Sequence, residues 1–214
     1  MTLVFVLRGG HVYAWELDLT RLLQDTPGRR EIFDPVNFLT NTLSWPFLGI
    51  FVVTILVAVA IRHYSVAFLV ALTFPVHVLA QFPKAFLDRP RPPSSYPGVD
   101  GVGGFDSFPS GHAEFVVAFY GLLLFIAVRH ARPRWARAAL IASWGLFALA
   151  TGYGRVATGR HWPIDILASY LIGFGILSGL LWLYEALRAA RPPGRDEWPA
   201  ASRPNAYKAS AEVL

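Results

Sequence analysis

Three polar clusters stand out in a chain that is otherwise mostly apolar. The first is Lys84-Ala-Phe-Leu-Asp-Arg-Pro-Arg-Pro92, with Lys84 and Arg91 seven residues apart. Arginine offers a planar fork to phosphate oxygens and lysine a point charge. The same residues could instead snorkel from an apolar helix end to lipid phosphate. The second cluster is Pro109-Ser110-Gly111-His112, set before the apolar run Ala113–Val128. A glycine at a helix start lets a ligand approach the backbone, and the free N–H groups and dipole end there favour an anion. Ser110 reads equally as an N-cap. As a nucleophile it lacks the Gly-x-Ser-x-Gly turn. The third cluster runs from Gly154-Arg155 through His161 to Asp165. His161 and Asp165 are four residues apart, and Pro163 suits a first helical turn. On such a turn Asp165 would hold one imidazole nitrogen as N–H and leave the other as nucleophile or base. A structural hydrogen bond or a metal half-site are the alternatives. Three cations converging on the pair would repel a metal ion.

These clusters need elements to gather them. Hydrophobic residues make up 54 % of the 214, and charged residues 15 %, against about 25 % in a soluble domain. The composition therefore predicts an all-α, polytopic transmembrane helical bundle. Five spans are expected: Trp45–Ile61, Tyr64–Phe82, Ala113–Val128, Ala136–Tyr153 and Ile164–Leu187. The apolar opening Leu3–Leu7 is too short to cross a bilayer. It reads as an interfacial piece or as the remnant of a sixth span. Residues 1–44 thus form an N-terminal interfacial or truncated-span segment, read as a surface loop with short helices. Residues 45–187 form the membrane domain, and 188–214 a basic, disordered cytoplasmic tail. His77 and Gln81 are polar residues inside the second span, where a satisfied interhelical contact is the first expectation.

Arginine placement gives an orientation. Arg62, the run from Arg129 to Arg137, and Arg188 share one side if each run crosses once, and the positive-inside rule makes that side cytoplasmic. All three clusters then meet at the non-cytoplasmic face of the plasma membrane. The net charge of +5 points to membrane lipids and anionic headgroups as partners rather than nucleic acid. There is no cysteine, which excludes disulfides, thiol nucleophiles and cysteine metal sites.

Lys84-x6-Arg91-Pro92, Pro109-Ser110-Gly111-His112 and Arg155-x5-His161-x3-Asp165 resemble, in order and spacing, the three signature motifs of the type 2 phosphatidic acid phosphatase superfamily. The resemblance implies a membrane phosphatase acting on a lipid phosphate or pyrophosphate, with no metal and no cofactor. It implies that His161 is a nucleophile forming a phosphohistidine, that Asp165 orients it, and that His112 is the general acid. It implies a phosphate cradle of Lys84, Arg91, Ser110, Gly111 and Arg155. The family usually carries serine before the third-motif arginine. Gly154 stands there instead, so one phosphate hydroxyl is missing. A phosphotransferase, and a membrane protein that only binds or transports an anionic lipid, are the competing readings.

Overall fold

The structure is a computed structural model, and it describes residues 12–190. The Leu3–Leu7 opening, and the tail from Arg191 onward, lie outside the described residues. Eight helices make up the described chain. They are α1 (Ala14–Gln24), α2 (Arg29–Leu39), α3 (Trp45–Ala60), α4 (Tyr64–Ala80), the single turn α5 (Lys84–Leu87), α6 (Gly111–His130), α7 (Arg134–Ala157) and α8 (Pro163–Ala189). The all-α expectation agrees with this order.

The expected number of spans does not. Among the described residues, three helical stretches are long and apolar enough to cross a membrane: Tyr64–Leu87, Gly111–His130 and Pro163–Ala189. The other two expected spans fail for different reasons. Helix α3 is apolar but has 16 residues. At about 1.5 Å per residue that is about 24 Å, short of a hydrocarbon core of about 30 Å. Helix α7 has 24 residues, but Arg134, Arg137 and Arg155 and the scattered Ser143, Gly145, Thr151, Gly152 and Gly154 dilute its apolar content. The expected five or six spans are therefore corrected to three long apolar membrane-spanning helices among the described residues.

Helix α6 is the centre of the bundle. It packs against α8 and α7, and α4 adds a third neighbour. Glycine makes the α6–α8 approach close. A Cβ on Gly173 would lie 2.6 Å from the Glu114 carbonyl, and one on Gly121 2.8 Å from Leu177. Small residues at such seams let two backbones pack tightly in a membrane. On the other flank, Phe47 of α3 meets Phe115 and Phe119 of α6 edge-on, at 5.1 and 5.3 Å between ring centroids. Side chains such as Leu171 and Trp182 point outward from α8, each 73 % exposed, as lipid-facing positions do.

The N-terminal helices pack onto the bundle. Helix α1 packs on α7 and α8, and α2 packs on α7. The side of α1 that faces inward is polar: Glu16, Thr20 and Gln24 are buried. Gln24 pins the loop before α6, donating to the Asp100 carbonyl at 3.1 Å and accepting from the Asp100 N–H at 2.8 Å.

Candidate active site

The C-terminal end of the Tyr64–Leu87 stretch and the N-termini of α6 and α8 lie at one end of the bundle. The end of α7 joins them through a tight reversal. Gly159 takes φ +70°, which suits a residue without Cβ. Its N–H donates to the Val156 carbonyl at 2.9 Å, and the Arg160 N–H to the Arg155 carbonyl at 3.0 Å. This pair of bonds is the glycine helix stop. It sets Arg155 on the last turn of α7 directly behind His161, whose N–H also reaches the Arg155 carbonyl at 3.2 Å.

A cavity of about 200 Å³ opens here, lined by Lys84, Arg91, Gly111, His112, Arg155 and His161 from the three expected clusters. His161 is 2 % exposed. Its Nδ1–H donates to the Ser107 carbonyl at 2.6 Å, and Arg155 Nη2 stands 3.4 Å from its Nε2. The tautomer follows: a carbonyl can only accept, so the proton sits on Nδ1 and the Nε2 lone pair faces the guanidinium. Burial, with Arg155, Arg91 and Lys84 behind it, holds the imidazole well below its ordinary pKa. His161 is therefore neutral near pH 7.

Arg91 is fixed by two contacts. Its Nε donates to Asp106 at 2.6 Å and its Nη1 to the Arg160 carbonyl at 3.3 Å. That hydrogen bond keeps the Asp106 carboxyl below the usual carboxylate range. The His112 ring is held against the backbone of Asn37 on α2.

Two expected site residues do not line the cavity. Ser110 is fully buried. Its hydroxyl accepts from the Ala113 N–H at 3.5 Å as the N-cap of α6, and its own N–H donates to Ser169 at 2.8 Å. Asp165 is also fully buried, and the bond expected between it and His161 is replaced. Helix α8 begins at Pro163 with Trp162 as N-cap. His161 thus precedes the helix, and four-residue spacing no longer puts the two side chains on one face. Asp165 Oδ2 instead accepts from the Trp162 N–H at 3.0 Å and the Ser107 hydroxyl at 2.5 Å. Its Oδ1 pairs with Arg89 Nε at 2.8 Å. Asp165 thus reaches the imidazole at second hand, by fixing the residue whose carbonyl holds it.

Thr40, Thr42, His77 and Gln81 also line the cavity; His77 and Gln81 stood out in the sequence as polar residues inside a span, but not as neighbours of the three clusters. His77 Nδ1 contacts the buried carboxylate of Glu114, to which Gln81 donates at 3.5 Å. A polar pair inside two apolar helices was the available signal for His77. Nothing in the sequence pointed to Thr40 or Thr42. The Gly154 departure has a steric cause: a Cβ there would lie 2.8 Å from the Cβ of Phe33 on α2. Among the described residues no group of three or more His, Cys, Asp or Glu side chains could hold a metal ion.

Helices long and apolar enough to cross a membrane, with a cavity at their ends lined by Lys84, Arg91 and Arg155 beside the buried His161, define a multi-pass membrane protein. The PAP2 superfamily model matches residues 47–189, and the chain belongs to that superfamily. It is a multi-pass protein of the plasma membrane. Among its relatives, the lipid A 1-phosphatase of Rhizobium etli is 31 % identical over 135 residues, 59 % of this chain and 53 % of the relative. The chain thus spans about half the length of the curated relatives it matches. Two solved structures share the fold. One is the PAP2-type phosphatidylglycerolphosphate phosphatase of Bacillus subtilis, with TM-score 0.65 and 20 % identity over 91 % of this chain and 96 % of that one. The other is LpxE of Aquifex aeolicus, with TM-score 0.59 and 22 % identity over 79 % and 96 %.

Proposed function

We propose that this chain hydrolyses a lipid phosphate monoester or pyrophosphate, without metal, through a phosphohistidine on His161. The observation that carries the reading is the unprotonated Nε2 of a buried imidazole, aimed at Arg155 in a cavity shared with Lys84, Arg91, Gly111 and His112. A bound monoester is nearly a dianion near neutral pH. Its oxygens would take the three side-chain cations and the free N–H groups at the start of α6.

The Nε2 lone pair then attacks phosphorus while the bond to the leaving oxygen breaks. His112 gives its proton to that oxygen. In the second half, neutral His112 takes a proton from water, whose oxygen attacks phosphorus. The P–N bond breaks, freeing inorganic phosphate and neutral His161. Charge spreading on the equatorial oxygens meets fixed donors that need no reorganisation.

The substrate is amphipathic in this reading. The cavity is smaller than the roughly 300–1,000 Å³ that encloses a drug-sized ligand, so it takes the headgroup while the chains stay among lipids. Phosphatidic acid, phosphatidylglycerol phosphate and undecaprenyl pyrophosphate fit that description, and lipid A 1-phosphate enters with the Rhizobium relative. Arginines at the opposite helix ends, Arg62, Arg129 and Arg188, support a site on the non-cytoplasmic face. The test is inorganic phosphate release from a panel of these lipids by purified protein in detergent. Wild type is expected to release phosphate and His161→Ala to be inactive. Equal activity in both would remove the mechanism.

A further inference from the structure

Glu16 lies on α1, well before the matched family region, yet it is fully buried. A buried carboxyl needs partners. Its Oε2 accepts from the Tyr13 N–H at 3.1 Å, and its Oε1 from Arg89 Nη2 at 3.0 Å. Arg89 is itself 1 % exposed and sits between two carboxylates. One edge of its fork meets Glu16, and Nε meets Asp165 at 2.8 Å.

From Asp165 the contacts continue to the proposed nucleophile. Asp165 accepts from the Ser107 hydroxyl at 2.5 Å, and the Ser107 carbonyl accepts from His161 Nδ1–H at 2.6 Å. The Ser107 N–H in turn donates to the Arg89 carbonyl at 3.0 Å. Every link is buried, so water cannot substitute freely at any of them. A guanidinium is planar, and each carboxylate bonded to it restrains its orientation. A second carboxylate, on Nη2, adds a further hold on that plane. Without Glu16, Arg89 would turn toward Asp165, and Asp165 would shift on the Ser107 hydroxyl.

We propose that Glu16, acting through Arg89, Asp165 and Ser107, is a positioning residue for His161. Helix α1 is on this account part of the working site rather than a membrane-surface appendage. The inference rests on the reading of His161 as nucleophile.

The test measures kcat and KM for short-chain phosphatidic acid and para-nitrophenyl phosphate in detergent. The proteins are wild type, Glu16→Ala, Glu16→Gln, and Asp18→Ala, an exposed neighbour on the same helix. Misplacing a reacting group by about 1 Å costs about 10²-fold, and Arg89 retains Asp165. Glu16→Ala is therefore expected to lower kcat about ten- to a hundredfold, with KM within about twofold. Glu16→Gln keeps an acceptor for Arg89 and should recover to within about threefold of wild type. Asp18→Ala should match wild type. Combined with Ser107→Ala, either Glu16 change should cost less than the product of the single losses, because both act on one path.

Glu16→Ala protein that folds and keeps kcat within about twofold overturns the inference. If that variant does not fold, Glu16→Gln with Ser107→Ala decides: strictly multiplicative losses overturn the inference, and coupling supports it. His161→Ala is run in parallel. An inactive His161→Ala beside a fully active Glu16→Ala sinks this inference alone, whereas an active His161→Ala sinks the hydrolytic reading.

Discussion

Replacing Asp165 with asparagine separates two ways a carboxylate can serve a histidine. The side chain keeps its shape but exchanges one oxygen for a donor. Its two ends face different needs. One meets Arg89 Nε at 2.8 Å, and the other accepts from the Trp162 N–H at 3.0 Å and the Ser107 hydroxyl at 2.5 Å. Asparagine can satisfy the second end only by turning its NH2 toward the guanidinium, donor against donor. Breaking a buried charge pair costs about 3–5 kcal/mol. Glu16 remains on Arg89, so the lower end, about 3 kcal/mol, is expected. For a chain of this size that lowers the thermal midpoint in detergent by about 6–12 °C. The Ser107 carbonyl keeps its hold on Nδ1 but loses its anchor, so kcat should fall about 10²-fold. A carboxylate bonded directly to the imidazole would give a loss nearer 10⁴-fold with little change in stability. Thermal melts and steady-state kinetics on the same preparations distinguish the two. A loss near 10⁴-fold at an unchanged melting point would refute the indirect geometry.

Removing Arg155 should lower kcat/KM about 10²- to 10³-fold, with Arg155→Lys only partly restoring it because lysine lacks the fork; kinetics within about threefold of wild type would contradict its place in the cradle. His161 carries a folded-state pKa depressed well below 6.5 by burial and the adjacent cations, so its contribution to stability is complete above the unfolded value of about 6.5 and is lost as pH falls through the folded value. Denaturation midpoints should therefore drop below about pH 6.5, less so in His161→Gln, and a ring that titrates by NMR near 6.5 in the folded protein would contradict this. Glu114→Ala should destabilise the protein by about 3–5 kcal/mol by stranding His77 between helices, whereas the paired change to His77→Leu with Glu114→Leu should cost much less; equal losses in chemical denaturation would argue against a buried coupled pair.

The sequence was most informative where chemistry depends on local order. The helix start at Pro163, the N-cap at Ser110 and the glycine before His112 follow from rules about single turns, and the structure has each of them. Six residues drawn from three distant clusters share one cavity. Reasoning failed where a local rule was pushed one residue too far. His161 lies just outside α8, so its spacing from Asp165 carried no helical meaning. Partners far apart in sequence were not legible either. Glu16 and Arg89 are 73 positions apart, and nothing about a glutamate in a mixed polar stretch marks it as the counter-charge of a buried arginine. The inward packing of the N-terminal segment was not legible either: Glu16, Thr20 and Gln24 read as ordinary polar residues, and they face inward from α1, which packs on α7 and α8. The span count erred because continuity of an apolar run does not by itself fix a crossing: α3 falls short in length and α7 in apolar content.

Phosphoryl transfer to the His161 imidazole is the step on which the rest of the proposed chemistry depends. Wild-type protein mixed with ³²P-labelled short-chain phosphatidic acid, quenched in alkali within milliseconds and digested, reports that directly. Label is expected on the peptide carrying His161, stable to base and lost in acid, and absent from His161→Ala. Label on Ser110, or turnover of the substrate with no labelled protein at any quench time, would contradict it.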